Sequence, residues 1–295
     1  MTVWQDYAEL HQAMVDANEL DPIYPLLKEI AKLLNLNKDE AAWLCHVYVA
    51  YYDFGSGLTC YDQVRSPAVP SENLLRLPCD TERRNHRTPS KLKQHFESVV
   101  SIAENNGGLH TWLSRYIRDT PQQSWKAMLN PLETIYGNGR WASYKLVEMI
   151  GFVCDLPVEA PDMGHANSTG PRAGLNYLYS GLPSGNKPSE IAYLNKVSLN
   201  LIGKLAEHGV QTRLQEAETS LCALKSLIKG TYYIGEDLDA MLEEIKRQPN
   251  GLTELALEAR SNVFPHRYLG EKMGWEGVDK ARLKAYKETG KILIR

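Results

Sequence analysis

The stretch IYGNGRWASYKLVEMIGFVCDLPVEAPDMGHANSTGPR, residues 135–172, decides how the chain reads. Its first half is a glycine-punctuated turn, Tyr136-Gly137-Asn138-Gly139, between two segments of helical spacing. Trp125, Met128, Leu129, Leu132 and Ile135 mark a helix over 122–135, and residues 140–153 are apolar nearly all round, the pattern of a buried helix. Asn-Gly also suits a β-hairpin, but the flanks do not alternate. In a turn between helices, glycine permits positive φ and lets an anion approach the backbone closely. The opening N–H groups and dipole of the following helix then favour a phosphate. Gly137, Asn138 and Gly139 are therefore candidate DNA-backbone contacts, with Arg140 and Lys145 adding charge. A plain tight turn between packed helices gives the same short match.

The second half is a polar loop with one carboxylate, one histidine, two hydroxyls and one arginine: Asp162, His165, Ser168, Thr169 and Arg172. Asp162 and His165 are candidate proton acceptors. Arg172 is a candidate clamp for a carboxylate, with Ser168 and Thr169 beside it. Each has a bland alternative. An aspartate after proline caps turns, and a lone histidine is more often a surface or satisfied one. His165 lacks spaced partners such as HxxxH, so no metal role is assigned to it.

Composition is that of an ordinary soluble globular protein. The five cysteines are scattered and form no CxxC pair, which favours reduced thiols over disulfides, zinc or an iron–sulfur cluster. The first residues lack a basic region followed by an apolar run, and no apolar run reaches membrane-helix length. A cytoplasmic location, with no membrane partner, follows as the expectation. Net charge is −3, yet residues 76–145 hold eleven Lys and Arg against six Asp and Glu. That span is the candidate anion-facing part, or else a solvated helix face.

The pattern elsewhere is mostly helical, giving a mainly α fold. Helices are expected over 3–17, 23–36, 38–54, 90–105, 109–118, 172–180, 188–207, 211–229, 236–247 and 252–260. Residues 55–90 read as a long loop with short helical pieces. Short strands are conceivable near 55–65 and 231–234. No linker or repeat divides the chain, so residues 1–295 are taken as a single domain or two helical lobes, with the hairpin and loop at 122–180.

The order Gly137-Asn138-Gly139, buried helix, Leu156-Pro157-Val158 and Asp162 resembles the helix-hairpin-helix superfamily of DNA glycosylases. The lysine nucleophile of its lyase-type members would fall near Trp141, so abasic-lyase chemistry is not implied. TERRNHR (81–87), YGNGRW (136–141), LPVEAPDMGHANSTGPR (156–172) and the basic, aromatic tail resemble the bacteriophage amino acid:DNA transferases, relatives of the α-glutamyl/putrescinyl thymine pyrophosphorylases. That resemblance implies transfer of a free amino acid, with glycine suggested, onto pyrophosphorylated 5-hydroxymethyluracil in double-stranded DNA. Pyrophosphate is released, a hypermodified thymine is made, and no cofactor is needed. It implies base flipping, a catalytic role for Asp162 with His165, an amino-acid site at Arg172, Ser168 and Thr169, and pyrophosphate held by Arg83, Arg84 and Arg87. Guanidinium forks match phosphate oxygens and stabilise charge growing on a leaving group. The alternatives are a monofunctional glycosylase and a non-catalytic DNA binder.

Overall fold

A computed structural model describes residues 3–79, 88–229, 231–266 and 269. The protein is mainly α: fourteen helices and no strand occur among the described residues. The chain divides into two compact units. One comprises Ile23–Glu159 and Ala240–Val263. The other comprises the described residues up to Pro22, Ala160–Asp239 and those from Phe264. In chain order the helices are α1 (Val3–Asp16), α2 (Ile23–Leu33), α3 (Lys38–Tyr51), α4 (Phe54–Gln63), α5 (Glu72–Leu75), α6 (Pro89–Asn106) and α7 (Leu109–Ser114). They continue as α8 (Pro121–Glu133), α9 (Arg140–Cys154), α10 (Gly170–Leu178), α11 (Pro188–Glu207), α12 (Leu214–Ile228), α13 (Glu236–Arg247) and α14 (Thr253–Val263).

In the first unit α3 is the central helix. All its residues from Ala41 to Tyr51 are buried, and it packs against α2, α4, α6, α7 and α9. Its start is fixed by a capping box, in which Asn37 accepts from the Asp39 and Glu40 N–H groups while Glu40 accepts from the Asn37 N–H. Trp43, Tyr51 and Phe96 form a ring cluster with centroids about 6 Å apart, so the aromatic face of 38–54 is core. The segment at 55–65, where a strand was conceivable, is α4. Asp53 caps it by accepting from the Ser56 N–H. Gly55 and Gly57 look like helix breakers, but they let α4 approach its neighbours. A Cβ at Gly55 would lie 2.1 Å from the Glu244 carbonyl oxygen. Residues 231–234 are likewise not a strand. The late segment is tied in by polar contacts: Glu244 accepts from the Phe54 N–H (2.6 Å), Asp53 pairs with Arg247, and Glu29 accepts from Asn262.

In the second unit α10 lies on α12, with α1 and α11 against the same helix. Gly170 and Gly174 allow this approach. A Cβ at Gly174 would lie 2.4 Å from the Leu221 carbonyl oxygen, and one at Gly170 the same distance from Cys222 Sγ. Buried Tyr7 and His11 of α1 share Ser220 of α12, at 2.8 Å each. Buried Glu19 accepts from the Gly235 and Asp237 N–H groups at the start of α13.

Candidate functional site

The hairpin belongs to the first unit. After α8, Gly137 takes φ +80°, the left-handed conformation that favours glycine, and Gly139 caps α9 with no side chain of its own. A Cβ at Gly139 would meet nothing within 4 Å, so the approach to the start of α9 is open. Asn138 is only 8% exposed. Its amide donates to the Leu132 carbonyl (3.2 Å), while its Oδ1 has no partner. Helix α6 grips the turn from the side. Ser98 Oγ accepts from the Tyr136 N–H (3.1 Å), and the Tyr136 carbonyl accepts from His95 Nδ1 (2.8 Å). A carbonyl cannot donate, so His95 carries its proton on Nδ1. Both backbone groups of Tyr136 are thereby held, although its side chain is 41% exposed.

Helix α9 is buried nearly all round, as its composition predicted. Lys145 is buried within it. Its ammonium donates to Glu148 (3.2 Å), which also accepts from Tyr24 (2.8 Å). This ammonium is thus spent inside the unit, and Arg140 is the basic side chain at the mouth of the hairpin. Beyond α9, Asp155 pairs with Lys28 and Lys38, and those two hydrogen bonds hold its carboxyl below the usual range.

The polar loop belongs to the second unit. Asp162 accepts from the Gly164 N–H at 2.7 Å, and Gly164 takes φ +65°. This is the turn-capping geometry that an aspartate after proline allows. The turn sends His165 inward, where it is 1% exposed and 2.7 Å, through Nε2, from Ser198 Oγ of α11. Burial, reinforced by the Arg172 charge and opposed by Asp162, lowers the His165 pKa to about 4. Asp162, His165 and Arg172 are therefore electrostatic neighbours. Arg172 of α10 holds the following loop: Nη1 donates to the Ser184 and Gly185 carbonyls, and Nη2 to Asn186 Oδ1 (2.7 Å). Its Nε is buried without a partner, as is His165 Nδ1. Ser168 donates to Glu218 of α12 (3.4 Å), and Thr169 precedes α10 without a side-chain cap bond.

The arrangement thus offers a half-buried carboxylate, a neutral imidazole, a guanidinium whose buried Nε–H is unspent, and a hydroxyl. Among the described residues no group of three or more His, Cys, Asp and Glu side chains could hold a metal ion, and no helix is long and apolar enough to cross a membrane. Arg83, Arg84 and Arg87, with TERRNHR around them, lie outside the described residues, as does the tail from Gly270. Ser198, Glu218, His95 and Ser98 carry no motif, and sequence reasoning did not single them out.

The amino acid:DNA transferase family matches residues 15–233, which include both the hairpin and the polar loop. The chain belongs to this family. Its substrates by that membership are an amino acid and DNA, and it is a transferase.

Proposed function

We propose that this amino acid:DNA transferase joins a free amino acid to pyrophosphorylated 5-hydroxymethyluracil in phage DNA and releases pyrophosphate. The family match over 15–233 carries the reading. The motif order of residues 136–172 supports a helix-hairpin-helix glycosylase-like scaffold, on which the target base is flipped out of the duplex. The hairpin residues Gly137, Asn138, Gly139 and Arg140 hold a DNA phosphate at the start of α9, and Lys145 supports that helix from within. Arg83, Arg84 and Arg87 hold the pyrophosphate.

The amine lone pair attacks the exocyclic methylene carbon. A C–N bond forms, the C–O bond to pyrophosphate breaks, and both electrons leave with the pyrophosphate. The nitrogen then carries one proton too many, which Asp162 with His165 accepts and passes to water. Arg172, with Ser168 and Thr169, orients the amino-acid carboxylate, the guanidinium acting through the N–H its own loop leaves unspent. The test is mass spectrometry of nucleosides from pyrophosphorylated hydroxymethyluracil DNA incubated with the protein and each amino acid, glycine included, alongside pyrophosphate release. An amino-acid adduct matched by pyrophosphate supports the reading. Free base or abasic sites instead make the enzyme a glycosylase, and binding without any product makes it a DNA binder.

A further inference from the structure

Ser198 is contacted by two groups that compete for its single proton. Its Oγ lies 2.7 Å from His165 Nε2 and 3.1 Å from the Leu194 carbonyl. A carbonyl only accepts, so donation to Leu194 leaves Oγ an acceptor, and His165 must supply the proton from Nε2. That arrangement makes two hydrogen bonds. The reverse, with Ser198 donating to Nε2, makes one and leaves a buried Nδ1–H with no acceptor, a costly orphan. Burial and the Arg172 charge keep the ring neutral, while Asp162 alone pulls the other way. The neutral ring's free lone pair is then on Nδ1, which is buried and has no partner. Arg172, whose charge acts on the ring, carries a second buried orphan of opposite sense, its Nε–H.

We propose that Ser198 is a positioning residue that holds His165 as the Nε2–H tautomer, so that Nδ1 accepts a hydrogen bond from the attacking amine while Arg172 Nε donates to the carboxylate of the same amino acid. The idea rests on the transferase reading and adds to it the atoms used and the residue that sets them. An α-amino acid carries both complements, a donor amine and an acceptor carboxylate, on neighbouring atoms. Both orphans are enclosed, so the amino acid meets them only as the loop opens.

The experiment uses the full chain with ¹⁵N-labelled histidine. Long-range proton–nitrogen spectra report which ring nitrogen carries hydrogen, and His165→Gln identifies the signal among the eight histidines. The wild type should show a neutral Nε2–H ring at pH 6. Ser198→Ala should give a mixture of tautomers, and Ser198→Thr should restore the single one. In the transfer assay, kcat of Ser198→Ala should fall on the order of tenfold, with KM for DNA unchanged, its acid limb moved and Ser198→Thr recovering both. An Nδ1–H or cationic ring in the wild type overturns the proposal, and so does a Ser198→Ala protein with wild-type tautomer and pH profile. If the wild type makes no adduct, the transferase reading fails, and the spectra still decide the tautomer.

Discussion

Replacing Gly139 by aspartate should raise stability and weaken DNA binding together. The site has ordinary φ (−92°) and open space around a new Cβ, so a side chain enters without strain. Asp and Asn are both good N-caps, and gain a few tenths of a kcal/mol over glycine. Aspartate adds about 0.3–1 kcal/mol from the helix dipole. A carboxylate there is taken to stand roughly 5 Å from the phosphate proposed to sit on α9. At effective dielectrics between about 80 and 20 the repulsion is about 1–3 kcal/mol, roughly 5- to 150-fold in affinity. Gly139→Asn has the same shape and cap without the charge, so the difference between the two variants isolates the electrostatic part. Duplex binding by fluorescence anisotropy across a salt series, with thermal melts of each variant, provides the measurement. The salt slope of Gly139→Asp should drop by about 0.9, one phosphate contact. Equal affinities and slopes for the Asp and Asn variants would refute the reasoning and leave the hairpin a plain tight turn.

His46 is fully buried in α3 with neither ring nitrogen partnered, and burial lowers its pKa to about 3. The unfolded chain, near 6.5, binds this proton first, so stability is full above that value and falls as pH drops toward 3 by about 1.4 kcal/mol per unit. His46→Leu should remove about 2 kcal/mol of the loss between pH 7.5 and 5 in urea titrations. Asp162→Asn retains the acceptor that holds the Gly164 N–H, so DNA binding should survive while turnover falls on the order of 100-fold. Full turnover in that variant would make the aspartate a turn cap only. Gly55→Ala should cost about 1–3 kcal/mol or more by calorimetry, because its methyl collides with backbone at Glu244.

Long periodic segments were legible. Helices α3, α8, α9 and α11 fall where apolar spacing and caps place them, because burial of one face is written locally. Helix α4 was not legible, since Gly55 and Gly57 resemble breakers until Glu244, far along the chain, is seen against Gly55 and Tyr48 of α3 against Gly57. Lys145 read as a charge added at the DNA phosphate because sequence shows its charge but not the burial that pairs it with Glu148, itself bonded to Tyr24. Asp162 and His165 stood out by residue type. Ser198, thirty-three residues from His165, is an ordinary helical serine until the fold brings it to the ring.

The two units are threaded through one another in the chain, and synthesis has to respect that. The packing surface of α1 waits on the ribosome for α10 and α12, while α2 waits for α14. Neither unit owns all its residues until translation has passed Val263, so the nascent chain carries incomplete cores for most of its length. An early stop codon, or a gene cut near residue 159, would release fragments with exposed apolar helix faces rather than a working half.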